Sequence, residues 1–182
     1  MKYTLILAGV LAIAGYSYYQ SQKLVGSLSS QTDFILKNLP AIGMKDIAGK
    51  RVDLYKYMDD QNLSILVIHF WGTWCAPCEA EFPELIKFAK KFEKNPKIGF
   101  LFVAVDDELA KVKKFMNRFY KTYPKAKVLI DNDKLYKTSF GTTRVPETFV
   151  FNKYKKTKRK FSGAVDWQND YFFSLFNDFI KN

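Results

Sequence analysis

Trp71-Gly72-Thr73-Trp74-Cys75-Ala76-Pro77-Cys78 holds both cysteines of a 182-residue chain. Ahead of it runs Leu63-Ser64-Ile65-Leu66-Val67-Ile68-His69-Phe70, an apolar run of strand length bounded by polar residues. Behind it runs Glu79 to Phe92, where Phe82, Leu85, Ile86, Phe88, Ala89 and Phe92 recur at the spacing of an amphipathic helix. The cysteines therefore sit where a strand turns into a helix. The first N–H groups of a helix lack intrahelical partners and form the positive end of its dipole. A thiolate there is stabilised, and its pKa falls below the free value of about 8.5. Cys75, at the start of the turn, is placed to be exposed and ionised. Cys78, one turn inward, is placed to close a ring onto it.

Two cysteines cannot build a disulfide scaffold. With His69 as its one histidine, the chain lacks the ligands for a zinc site of the usual Cys/His type, and no metal or cofactor is implied. A cysteine pair without metal partners points to redox work. The alternative is a local structural disulfide, but so short a loop would restrict the unfolded chain little. A hydrophobic fraction of 48% suffices for the core of one domain with an appendage. The net charge of +11, from 29 basic and 18 acidic residues, suits acidic partners, anionic lipid or nucleic acid. No nucleic-acid motif of the common kinds is present, and a basic solvated surface accounts for the charge.

The first 22 residues read as an address. Residues 3–22 carry no charge, and Tyr3 to Tyr19 is mostly apolar. As a helix this run would span roughly 25 Å, short of a hydrocarbon core of about 30 Å, but tyrosines at its ends suit the interface. Lys2 precedes it, so the positive-inside rule puts the N-terminus in the cytoplasm and the remainder outside the inner membrane. A cleaved signal peptide competes with a retained anchor, since Ala12-Ile13-Ala14 has a cleavage-site look. Cutting there would leave too short an apolar run, which favours the anchor. Either way the cysteines lie where disulfides persist. Residues 23–33 extend a Ser- and Gln-rich linker that begins at Gln20.

A domain over 34–182 follows. Phe34-Ile35-Leu36 and Arg51-Val52-Asp53-Leu54, with a turn over Asp46 to Lys50, suggest an N-terminal hairpin. Lys97 to Val105 is a nearly continuous apolar strand, suited to a sheet covered on both faces. Asp106 or Asp107 could cap a helix carrying Leu109, Val112, Phe115, Met116 and Phe119, ended at Tyr123-Pro124. Val128 to Ile130 reads as a strand and Leu135 to Phe140 as a short helix stopped by Gly141. Thr148 to Phe151 is a strand, Lys153 to Lys160 an exposed basic turn, and Phe161 to Val165 a last strand. A terminal helix follows Asp166, which is placed to cap it. Glu79 and Glu81 read as solvated, and Glu147 as either a solvated strand residue or a local modifier of the cysteines.

Trp-Gly-Thr-Trp-Cys-x-Pro-Cys after an apolar strand resembles the thioredoxin superfamily, and within it the membrane-anchored TlpA/ResA-like thiol-disulfide oxidoreductases. Val145-Pro146, 68 residues beyond Cys78 and just before a strand, strengthens the match. The resemblance spans about 34–182. It implies an α/β fold with a central mixed sheet flanked by helices, an inserted strand-helix unit and the N-terminal hairpin. It also implies Cys75 as attacking thiolate, Cys78 as resolving thiol, and a cis Val145–Pro146 bond whose Val145 backbone pairs with an extended substrate. Trp74, beside Cys75, would shield the cysteine and meet substrate, while Trp71 reads as packing. His69 departs from the family. Thioredoxin has a buried aspartate at the matching position, and many TlpA/ResA-like proteins have asparagine. His69 reads either as a core residue with a satisfied hydrogen bond or as a proton acceptor for Cys78.

The function expected is that of an exported, membrane-tethered protein thiol-disulfide oxidoreductase in the cell envelope. By resemblance it would reduce substrate disulfides, for example in cytochrome c maturation, and be recharged by a membrane electron-donor protein. The alternatives are a disulfide-forming oxidase and a redox-inactive thioredoxin-like binding domain. Nucleic acid is not among the expected partners.

Overall fold

Two runs without a polar break except His69 set the architecture. β3 (Ile65–Trp71) and β4 (Ile98–Val105) are buried at every position, as strands in the middle of a sheet covered on both faces must be. They pair in parallel, from Ile65 opposite Ile98 to Trp71 opposite Ala104. Around them β1 (Gly43–Asp46), β2 (Arg51–Asp53), β5 (Lys127–Asp131), β6 (Glu147–Asn152) and β7 (Thr157–Ser162) complete one mixed sheet of seven strands, in the order β2-β1-β5-β4-β3-β6-β7. This computed structural model describes residues 15–16 and 36–181. The expected linker, and the apolar segment 3–19 apart from Gly15 and Tyr16, lie outside the described residues. Among the described residues no helix is long and apolar enough to cross a membrane. The chain divides into two units, Met1–Ile35 and Leu36–Asn182, and all the elements named here belong to the second.

Successive strand residues point to opposite faces, and each face of the sheet has its own core. Ile65, Val67 and Trp71 of β3 pack in one cluster with α2 (Ala76–Lys91), α3 (Leu109–Met116) and Phe176 of α5 (Asp170–Lys181). Leu66, Ile68 and Phe70 pack in the other with α1 (Leu54–Asp60), Tyr136 of α4 (Leu135–Thr138), Phe140, Phe149 and Phe151. The sheet is thus the middle of three layers. α2 and α3 follow β3 and β4 and lie on the same side, so the turns after both strands meet at one end of the sheet.

The structure moves several expected boundaries. The strand paired with Arg51–Asp53 is Gly43–Asp46; of the expected partner run, Phe34 and Ile35 lie outside the described residues. Helix α1 has no counterpart in the sequence reading; Asp53 caps it by accepting from Lys56 N–H. α3 ends at Met116, and turns carry the chain to Pro124. The basic turn is confined to residues 153–156, because Thr157–Ser162 forms β7 on β6. In the turn Lys155 pairs with Asp59 and Lys156 bonds Asn38, while Lys160, now in β7, pairs with Glu147. Asp166 binds the Gln168 N–H rather than heading α5, which starts at Asp170.

Phe82 is fully buried at the centre of the first cluster, with ring contacts to Trp71, Phe102, Phe115 and Phe119. Phe82→Ala should lower the unfolding free energy by about 3–5 kcal/mol, the usual cost of removing a buried aromatic ring. Urea titration of parent and variant measures it, and a loss under about 1 kcal/mol would contradict this packing.

Candidate active site

Cys75 is the N-cap of α2, with extended backbone angles that place its carbonyl on Glu79 N–H at 3.0 Å. Its sulfur accepts from Cys78 N–H at 3.3 Å. A helix donor is therefore aimed at the atom that would carry negative charge in the reduced pair. Pro77 sits in the first turn, where a missing N–H leaves no helical bond unmade. Cys75 and Cys78 form a disulfide with Cα atoms 5.3 Å apart. Cys78 is fully buried, and Cys75 is only 5% exposed. Cys75 is thus less open than its place in the turn suggests, and the Val145 carbonyl stands 3.7 Å from its sulfur.

The residues before the pair are tied to the end of β4. Thr73 donates from its N–H and its hydroxyl to the two oxygens of Asp107, at 2.6 and 2.9 Å. Asp107 also accepts from Glu108 N–H. It was expected as a cap, but the N-cap of α3 is Glu108, and Asp107 holds the redox turn instead. Trp74 donates its indole N–H to the Val105 carbonyl yet leaves its ring 58% exposed. This arrangement needs Gly72, because a Cβ there would lie 2.6 Å from the Trp74 indole nitrogen. Trp71 is buried against Phe82 and Phe115, as packing requires.

Behind the disulfide lies a buried polar group that the sequence reading half missed. His69 is 1% exposed, and its Nδ1 is 2.9 Å from the Thr148 hydroxyl on the neighbouring strand. Its Nε2 faces Oε1 of Glu81 at 3.6 Å. Neither of these two atoms has a hydrogen-bond partner. Glu81 was read as solvated, but it is buried. Its Oε2 accepts from Val165 N–H at 2.8 Å and from the Trp167 indole at 3.0 Å. Helical spacing contained the signal: Glu81 follows Cys78 by three residues and lies within the apolar stripe of α2. Burial drives the His69 pKa down to about 3. Burial raises the Glu81 pKa, against the two bonds to Oε2. The imidazole is thus neutral at pH 7, so the contact is no ion pair. At 3.6 Å the two facing atoms are in contact but not hydrogen-bonded.

The Val145–Pro146 bond is cis, as expected. Gly163, at φ +90°, turns its N–H onto the Pro146 carbonyl at 2.9 Å. Glu147 was read as solvated or as a local modifier of the cysteines. It is 2% exposed, accepts from the Ser162 hydroxyl at 2.7 Å and pairs with Lys160 at 3.0 Å. The structure thus brings Cys75 against both Cys78 and the Val145 carbonyl, sets Pro146 beside Val145 and Trp74 beside Cys75, and puts His69 on the buried face that carries Cys78.

A helix-capping cysteine pair facing a cis-proline on such a sheet defines the class, a thioredoxin-fold dithiol–disulfide protein. The Redoxin family pattern matches residues 37–172. The thiol-disulfide oxidoreductase ResA of Geobacillus thermodenitrificans is 30% identical over 166 residues, covering 89% of this chain and 86% of that protein. A thiol:disulfide interchange protein of the thioredoxin family from Chlorobium tepidum superposes with TM-score 0.60 at 20% identity, over 80% of this chain and 94% of that one. A secreted thiol-disulfide isomerase from Corynebacterium glutamicum gives TM-score 0.64 at 21% identity, over 79% and 86%. The chain belongs to the Redoxin family, as a TlpA/ResA-like member of the thioredoxin superfamily, and is a protein thiol-disulfide oxidoreductase.

The buried pair has a signature in stability. The unfolded imidazole takes up a proton near pH 6.5, whereas the folded one does so only near pH 3. The unfolded state binds more protons between those values, so this group lowers stability as pH falls through that window. Glu81 acts in the opposite sense. Its folded pKa is raised, so it keeps a proton where the unfolded carboxyl has lost it, and acidification favours folding. His69→Asn removes the imidazole contribution and leaves the two donors on Glu81 Oε2 in place. The difference in urea midpoint between pH 7 and pH 4 should shrink relative to the parent. An unchanged difference would mean that His69 does not titrate with folding.

Proposed function

We propose that the chain is an exported, membrane-tethered enzyme that reduces protein disulfides in the cell envelope, for example in cytochrome c maturation. Residues 1–22 would be the anchor, 23–33 a linker and 34–182 the catalytic domain. The observation that carries the chemistry is the Cys75 sulfur at the N-terminus of α2, bonded to Cys78 and facing the Val145 carbonyl. The direction rests on the resemblance of Trp71 to Cys78 to the reducing branch of the family. A tether would also raise the local concentration of the domain beside a membrane dithiol donor.

In the reduced enzyme the Cys75 thiolate attacks one sulfur of a substrate disulfide. A Cys75–substrate disulfide forms, and the other substrate sulfur leaves as a thiolate and takes a proton. Cys78 then gives its proton to the Glu81 carboxylate and attacks the Cys75 sulfur. The second substrate sulfur leaves and is protonated in turn. The substrate gains two electrons and two protons, and Cys75–Cys78 becomes the disulfide. A membrane dithiol protein returns the electrons. Val145 supplies backbone hydrogen bonds to an extended substrate beside Pro146, and Trp74 covers the mixed disulfide.

Cys78→Ser should accumulate substrates as mixed disulfides through Cys75, which mass spectrometry of membrane fractions identifies. Acid-quenched cells should hold the parent pair mostly as dithiols. A resting pair mostly oxidised, with trapped partners that lose their disulfides on deletion of the protein, would favour the oxidase instead. Cys75 should also alkylate well below pH 8 and ahead of Cys78 in the reduced enzyme. Faster labelling of Cys78 would reverse the two roles.

A further inference from the structure

A cleft of about 410 Å³ opens beside the redox turn, lined by Thr73, Glu79, Lys111, Lys114, Phe115 and Arg118. Its position follows from the fold. Thr73 is two residues before Cys75, Glu79 is one helical turn beyond it, and the rest come from α3 and the turn after it. Phe115 is its apolar lining residue, and the Arg118 guanidinium lies over that ring at 4.0 Å. Its cations are Lys111, Lys114 and Arg118, and its carboxylate is Glu79. Lys111 pairs with Glu108 at the rim, and Arg118 with Glu79 at 3.0 Å. Lys114 is exposed and has no ionic partner among the described residues.

The Glu79–Arg118 pair is informative. Both side chains are about half exposed, and a pair that open to solvent contributes little to stability. Exchanging Glu79 for another carboxylate on Arg118 therefore costs little. Arg118 would keep its stacking on Phe115 and remain oriented for a planar, bidentate partner. Next to it, Lys114 supplies a second positive charge not neutralised from within the chain. The exposed ring of Trp74 belongs to the same turn as Thr73.

We infer that this cleft is a specificity site for the reduction proposed above, and that it takes an acidic segment flanking the reacting cysteine of a protein substrate. It rests on the redox reading but adds to it the chemistry that selects the partner. An extended chain advances about 3.3 Å per residue. Thr73 and Glu79 bring the cleft to within a turn of Cys75 in the chain, so a carboxylate a few residues from the substrate cysteine is the group placed to meet Lys114 and Arg118 while that cysteine is on Cys75. The substrate backbone would lie against Val145 on one flank of Cys75 and its acidic side chains in the cleft on the other.

The test uses the full chain, reduced and freed of small thiols, and three synthetic peptides with the same internal disulfide. Their residues three to five positions from the cysteine are Asp/Glu, Ser/Gln or Lys. Two screened surface contacts amount to about a three- to tenfold advantage in the single-turnover second-order rate constant for the acidic over the neutral peptide at low salt. The advantage should fade toward 1 M salt, where the Debye length is about 3 Å. The Lys114→Glu/Arg118→Glu double variant should prefer the basic peptide instead. Equal rates for all three peptides in the parent, or an acidic preference that survives the double reversal, would overturn the site. Reduction of none of the three would refute the reductase reading beneath it, and the site with it.

Discussion

One carboxyl group joins three parts of the molecule. Glu81 leaves α2 from its buried face and binds the Val165 N–H and the Trp167 indole through a single oxygen. Its other oxygen faces His69 of β3. The redox helix, the central strand and the segment leading into α5 therefore converge on it. Burying an acid is unfavourable unless its oxygens are satisfied. Two donors on Oε2 meet half of that requirement, while Oε1 faces the imidazole Nε2 at 3.6 Å without a hydrogen bond. Trp167 is itself buried among Phe88, Phe161, Phe172 and Phe176, so the acid is fixed to an aromatic cluster that cannot shift without loss of packing.

The turn before the cysteines is held with equal economy. Its connection to α2 is secured by the cap geometry of Cys75, and its connection to β4 by Asp107 and the Val105 carbonyl. A backbone held at both ends places the sulfur relative to Val145 without help from a substrate. Preorganisation of that kind spares the reaction the entropy of ordering the turn when substrate arrives. The exposed ring of Trp74 follows from the same constraint. Its indole N–H is bound inward, and the flat face left outward offers apolar area to a partner.

Periodicity made the core legible. β3, β4 and α2 are long segments with one clear pattern each, and their residues lie where the pattern puts them. Short polar elements were another matter. α1 begins at Leu54, inside what alternation alone reads as a strand, and only the Asp53 cap distinguishes the two. β7 carries Lys158, Arg159 and Lys160, which composition assigns to a loop; backbone pairing with β6 overrides composition there. Cys75, Cys78 and Pro146 were legible because motif and placement agreed. Asp107 was not, since its partner Thr73 is 34 residues away and no local spacing joins them. Glu81 and Glu147 were missed for one reason: an acid is assumed solvated until a distant partner is known. For Glu81 that partner lies in the final third of the chain.

The buried acid also answers a difficulty in the proposed cycle. Cys78 is fully enclosed, and a thiolate formed there loses its hydration. A fixed carboxylate one helical turn away would add like-charge repulsion to that cost. Glu81 and His69 avoid it by titrating away from their usual values in opposite senses: the acid holds its proton more readily, and the imidazole less. In that cycle the Glu81 carboxylate would take the Cys78 proton as the thiolate forms, so that the negative charge passes from acid to sulfur and the imidazole stays neutral. The attack on Cys75 then turns that thiolate into a neutral disulfide sulfur. The cost of burying its charge falls on a short-lived species alone, and neither resting state of the pair has to bear it.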